Sequence, residues 1–110
     1  MTLRTIEYTL KKEGHEVIVA GDGEQAIRML NEKEIDLVIS DINMPYTKGL
    51  ELIRYVNKSL NAKIPVIIIS IINLEETKQH AMELGAFGYL TKPFDPGTLL
   101  KLVQSAAEKK

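Results

Sequence analysis

The chain has no cysteine. No disulfide framework can staple it, and no thiolate can hold a metal. It has no apolar stretch long enough to cross a bilayer. Its first residues, Met1-Thr2-Leu3-Arg4, lack the apolar core of a secretory signal. It has almost no net charge: 14 basic residues stand against 15 acidic ones, which leaves −1. No strong field therefore draws it to nucleic acid or to a membrane surface. It has no internal repeat and no low-complexity segment, only a charged end at Glu108-Lys109-Lys110. What it has is ordinary for a globular chain: 110 residues, 45% of them hydrophobic and 26% charged. That length buries a real core, so a single cytoplasmic domain over residues 1–110 is expected.

Within that length, the apolar run Leu37-Val38-Ile39-Ser40 ends in Asp41 and turns at Ile42-Asn43-Met44-Pro45. A short apolar run bounded by a turn reads as a buried strand. A carboxylate at the carboxyl end of such a strand sits where open α/β sheets place their sites. Taken alone, Asp41 reads more simply as a turn cap.

Taken in order, the chain alternates helices and strands. Leu3, Ile6 and Leu10 recur at helical spacing over residues 2–13, and Gly14 follows as a stop. A strand is the rival reading there, because Ile6, Tyr8 and Leu10 also alternate among β-forming neighbours. Glu16 to Ala20 reads as a strand, with His15 as a turn or strand-end residue. Asp22 is the expected N-cap of a helix that carries Ala26, Ile27 and Leu30 on one face. Gly49 opens a second amphipathic helix with Leu52, Ile53, Val56 and Leu60. Val66-Ile67-Ile68-Ile69-Ser70 is apolar without alternation, which suits a strand covered on both faces. Asn73 is the expected cap of the next helix, with Glu75 and Glu76 in its first turn, Leu74, Ala81 and Leu84 as its inner stripe, and His80 facing outward. Gly85 closes it. Gly88-Tyr89-Leu90-Thr91 is a short strand stopped by Lys92-Pro93. Asp95-Pro96 caps a last helix whose inner face is Leu99, Leu102, Val103 and Ala106. Such alternation implies a parallel sheet with right-handed crossovers.

Three stretches together carry more than any one of them. Asp41 is followed by Asn43-Met44-Pro45 and Gly49, Ser70 ends the next strand, and Gly85 to Phe94 contains the last strand with Tyr89 and Lys92-Pro93. In order and spacing they closely resemble the receiver domain of two-component response regulators, over essentially the whole chain from the first helix onward. The resemblance implies a flavodoxin-like, doubly wound parallel sheet of strand order 2-1-3-4-5. It implies that Asp41 accepts a phosphoryl group and that Ser70 and Lys92 contact that group. It implies that Tyr89 is the switch aromatic, and that Asp41 and the Asn43 carbonyl bind Mg²⁺. It also implies a sensor histidine kinase or a phosphotransfer protein as partner. The chemistry is coherent, since a metal and a lysine offset the charge that builds on the phosphoryl oxygens.

The resemblance also implies a first strand ending in an acidic pair, and no such strand precedes the first helix within these 110 residues. The sheet is therefore expected to be truncated to about four strands, without its central one. The metal site is expected to be weakened and phosphorylation of Asp41 to be weak or absent. Ile71, where the family commonly has a small residue, and Lys48, where it often has an acidic one, point the same way. A sheet lacking its central strand leaves unpaired backbone and apolar surface, so a homodimer or larger homo-oligomer is expected. Two functions compete: a phosphoacceptor switch, and a non-phosphorylated module for self-association or partner binding. A flavin-binding role would need a phosphate loop after a first strand, and a metal enzyme would need a ligand cluster. No enzyme activity is expected.

Overall fold

A computed structural model describes residues 3–20, 23–42, 53–56, 64–71 and 73–108. The elements are helix α1 (Leu3–Lys12), helix α2 (Gly23–Glu32), strand β1 (Val38–Ile42), strand β2 (Val66–Ser70), helix α3 (Glu75–Leu84), strand β3 (Gly88–Thr91) and helix α4 (Pro96–Glu108). Residues 53–56 are helical as well. The strands form one parallel sheet in the order β1-β2-β3. Parallel neighbours need crossover connections, and the chain supplies helices between β2 and β3 and after β3.

The uniform apolarity of β2 follows from its place. All five of its residues are buried. Val66 and Ile68 join a cluster with Leu30, Ile53, Val56, Ala81 and Ala86 on one face of the sheet. Ile67 and Ile69 join Ile6, Leu10, Leu90, Leu99 and Val103 on the other. Successive side chains of a strand point to opposite faces, so a strand covered on both must be apolar at every position. Its neighbours obey the same alternation. Tyr89, opposite Ile68, packs on the first cluster, and Leu90, opposite Ile69, lies in the second.

The rival readings of the N-terminal segment resolve as helix, because Ile6 and Leu10 together reach the second cluster. Gly14 ends this helix with φ +91°. The amide of Gly14 donates to the Lys11 carbonyl at 3.0 Å, and that of His15 donates to the Leu10 carbonyl at 3.1 Å. These bonds satisfy carbonyls that a helix end leaves open. In α2, Ala26, Ile27 and Leu30 pack on the first cluster as expected. The Tyr55 hydroxyl ties residues 53–56 to the end of α2 by donating to Asn31 Oδ1 at 2.8 Å. The expected cap Asp22, and Gly49, Leu52 and Leu60 of the expected second helix, lie outside the described residues.

Three expectations need correction. Glu16 to Ala20 is not a strand. It carries no ladder, and Ile18 and Val19 are 39% and 42% exposed. Alternation makes a strand only where a neighbour accepts its hydrogen bonds, and among the described residues none pairs with it. Among the described residues the sheet therefore has three strands, which agrees with a truncated sheet of the expected parallel fold. Strand β1 carries Asp41 near its carboxyl end as expected, but it also takes in Ile42, which the sequence reading puts in the turn, because both have partners in β2. Finally, the N-cap position of α3 is held by Leu74 rather than Asn73, with no side-chain cap bond. Leu74 is 63% exposed and so leaves the inner stripe, where Thr77 is buried instead.

Helices α3 and α4 otherwise match the sequence reading. Glu75 and Glu76 occupy the first turn of α3, and Gly85 caps it in the left-handed region at φ 111°. His80 is exposed. Asp95 caps α4: its Oδ1 accepts from the Thr98 amide at 2.9 Å and its Oδ2 from the Thr98 hydroxyl at 3.1 Å. Leu99, Val103 and Ala106 are buried beneath that helix. No described helix is long and apolar enough to cross a membrane.

Candidate functional site

The carboxyl ends of the three strands converge. Ile42, Ser70 and Thr91 lie side by side in one row of the sheet, and Asp41 is opposite Ile69 one row back. The row is fixed by register, and register is fixed by which side chains must be buried on each face.

Ser70 ends β2 and is fully buried. Its carbonyl accepts the Lys92 amide at 2.8 Å, which extends the β2–β3 ladder one step past Thr91. Lys92 is therefore anchored by its own backbone at the same edge as Ser70, and its side chain is half-buried. The bond between Lys92 and Pro93 is cis. Three of the residues singled out in the sequence, Asp41, Ser70 and Lys92, thus come from three adjacent strand ends. Tyr89 lies further back. It pairs with Ile68, and its half-buried ring packs against the first cluster. Asn43 lies outside the described residues.

Two residues at this edge were not anticipated as contributors. Thr91 Oγ1 donates to Asn73 Oδ1 at 3.5 Å, which links β3 to the loop before α3. Asn73 thus serves this loop rather than the helix cap. The signal was present in Thr91, which shares a row with Ser70, but register is not readable from spacing alone. Beside them the edge is apolar: Ile71, next to Ser70, is 62% exposed and Leu74 is 63% exposed.

Among the described residues, no group of three or more His, Cys, Asp or Glu side chains is placed to hold a metal ion. Asp41 and Asn43, which the resemblance assigns to Mg²⁺, are not among the described side chains, and no chemical step is assigned to the ion.

Among the described residues, the displaced titration is that of Asp95 at the start of α4. Thr98 lowers the Asp95 pKa below the usual carboxylate range, first through its amide and then through its hydroxyl, with the Gly97 amide and the Lys101 charge adding to the effect. It stabilises the start of α4.

The same fold recurs in known proteins. Residues 1–104 match the response regulator receiver domain family. A probable transcriptional regulator, ycf29, of Pyropia yezoensis is 36% identical over 104 residues, covering 93% of this chain and 46% of that protein. The chain thus spans about half the length of that curated relative. The receiver domain of the Francisella response regulator 1452 superposes with a TM-score of 0.86 at 30% identity, covering 96% of this chain and 87% of that one. Chemotaxis protein CheY4 of Vibrio cholerae superposes with a TM-score of 0.83 at 36% identity, covering 94% and 87%. With residues 1–104 of its 110 matched to the family and its parallel sheet shared with the solved receiver domains, this chain belongs to the response regulator receiver domain family.

Proposed function

We propose that this domain is a cytoplasmic signalling switch with weakened phosphoacceptor chemistry, and not an enzyme. Asp41 is the acceptor, and a sensor histidine kinase or phosphotransfer protein is the donor. An Asp41 carboxylate oxygen attacks the phosphorus of the donor's phosphohistidine. The P–N bond breaks, its electron pair stays on the imidazole, and an acyl phosphate forms on Asp41. The Ser70 hydroxyl donates a hydrogen bond to a phosphoryl oxygen, and the Lys92 ammonium offsets the negative charge that gathers there. The observation that carries this reading is the row formed by Ile42, Ser70 and Thr91, with Lys92 bonded to Ser70 beside it.

One feature supports weakened rather than full activity. Ile71, immediately after Ser70, is a branched apolar residue that offers a phosphoryl oxygen no side-chain hydrogen bond. A second reading is favoured by the exposure of Ile71 and Leu74 at this edge: a module that binds a partner without being phosphorylated.

Intact-protein mass after incubation with acetyl phosphate and Mg²⁺, beside an Asp41→Asn control, separates these readings. Partial labelling that vanishes in the control is the expected result. Stoichiometric labelling overturns the weakened chemistry. A folded protein with no adduct leaves the partner-binding module.

A further inference from the structure

We infer that Asn73 is a two-position latch between β3 and the start of α3. In the structure its side chain is held by Thr91, and α3 begins without a side-chain cap. Released from Thr91, the same side chain caps α3 and lengthens the helix by one residue. The inference goes beyond the phosphoacceptor reading, because both positions exist whether or not Asp41 carries a phosphoryl group.

The first position is the observed one. Thr91 Oγ1 donates to Asn73 Oδ1 at 3.5 Å. The cap position of α3 falls to Leu74, whose backbone is extended at φ −103° and ψ 133° and whose side chain offers the helix no bond. The Lys78 amide donates to the Leu74 carbonyl at 3.1 Å. The amides ahead of it, Glu75 to Thr77, belong to the turn that a helix leaves without intrahelical acceptors.

The second position is written in the sequence. Asn73-Leu74-Glu75-Glu76 puts a favoured cap residue three places before a glutamate. In that pattern the cap side chain accepts from the amide of the third helical residue, and the glutamate reaches back to the amide of the cap. Those residues are Asn73 and Glu76. The change falls chiefly on Leu74, whose ψ moves from 133° to the helical value of about −42°. Asn73 and Leu74 are both exposed, so the move breaks no packing in the core.

Both positions use Asn73 Oδ1, and they need different backbones at Leu74, so one bond forms at the expense of the other. Their strengths are close. A bond of 3.5 Å stands at the outer limit for a hydroxyl donor. A side-chain cap shifts a helix-end equilibrium about fivefold. A small bias therefore selects between them, and Thr91 is placed to supply it. Thr91 shares its row with Ser70 and precedes Lys92. A group at the strand ends that takes the Thr91 hydroxyl frees Asn73. The freed cap draws Leu74 into the first turn of α3 and alters the exposed apolar pair Ile71 and Leu74. The latch thus connects the row of strand ends to that surface.

The test uses the isotope-labelled 110-residue chain and four variants: Thr91→Val, Asn73→Asp, Asn73→Ala, and Thr91→Val combined with Asn73→Ala. Amide exchange at Glu76 and the Cα shift of Leu74 are followed by NMR. Thr91→Val removes the hydroxyl and keeps a branched side chain suited to a strand. It should slow exchange at Glu76 about fivefold, the effect of one cap, and move the Leu74 shift toward helix. Asn73→Asp leaves the sheet untouched and favours the cap through its charge at the helix start, so it should move the Leu74 shift the same way. Asn73→Ala alone should leave Glu76 as it is in the native chain. In the combined variant the slowing should vanish. Three results overturn the inference. One is a Leu74 shift that neither Thr91→Val nor Asn73→Asp moves. Another is slowing that survives in the combined variant, which removes Asn73 from the cause. The third is faster exchange at Glu76 in Asn73→Ala alone, which means that Asn73 already caps α3.

Discussion

The amide of Lys92 donates to the carbonyl of Ser70 across 2.8 Å. This bond places a lysine on the backbone of the sheet itself, one residue past the end of β3, and beside a serine that is fully buried. The position of Lys92 therefore does not depend on its side-chain charge. A Lys92→Met variant should keep the fold, with a stability change within about 1 kcal/mol. Its labelling at Asp41 by acetyl phosphate should slow about 10²-fold, the usual effect of losing one group aimed at developing charge. Urea melts and time-resolved intact mass measure the two quantities separately. Loss of labelling together with loss of the fold would mean that the lysine is structural.

Ile68 has no exposure and contributes to the core from the central strand of the three. Ile68→Ala removes buried methyl groups from a strand held on both sides, where collapse is restricted. Destabilisation of about 2–5 kcal/mol is expected. For a domain of this size that is a large part of the total. Urea denaturation should show a lower midpoint with an unchanged slope.

Gly14 tests backbone conformation without packing. Its φ is +91°, and a Cβ added there would meet nothing within 4 Å. Gly14→Ala should cost about 1 kcal/mol, entirely from the left-handed backbone. Gly14→Asn should recover part of that loss, since asparagine tolerates this region better. Equal stability of all three proteins would show that the turn after α1 relaxes without penalty.

Asp95 makes stability depend on pH in a defined direction. Its folded-state pKa is lowered, chiefly by the Thr98 amide. A depressed carboxylate contributes stability that is complete above its unfolded-state value and is lost as the pH falls through the folded-state value. The melting temperature should therefore fall in acid more steeply for the native protein than for Asp95→Ala. The variant should already melt lower at neutral pH, and the two curves should converge in acid. Parallel curves across the acid range would count against the cap.

The sequence by itself determined the elements whose signals are local. Gly14 and Gly85 stop their helices because each supplies a left-handed residue at the right place. Asp95 caps α4 because an aspartate before Pro96 has the Thr98 amide within reach. The uninterrupted run Val66 to Ser70 announced a strand covered on two faces, and two separate clusters cover it. The order and spacing of three stretches, Asp41 to Gly49, the strand ending in Ser70, and Gly85 to Phe94 with Lys92-Pro93, carried the family resemblance.

Only the tertiary structure decided what depends on distant partners. Thr5 to Leu10 has β-forming residues, yet it is helical because that places Ile6 and Leu10 together on the second cluster. Glu16 to Ala20 has the alternation of a strand and is none, because a strand exists only through its neighbour's hydrogen bonds. Strand β1 runs through Asp41 to Ile42 because Ile69 and Ser70 stand opposite to receive them. Leu74 holds the cap position of α3 and Asn73 bonds Thr91 instead, since the loop closes toward β3. The shared row of Ile42, Ser70 and Thr91 is likewise a matter of register, which side-chain burial on two faces sets and local sequence does not.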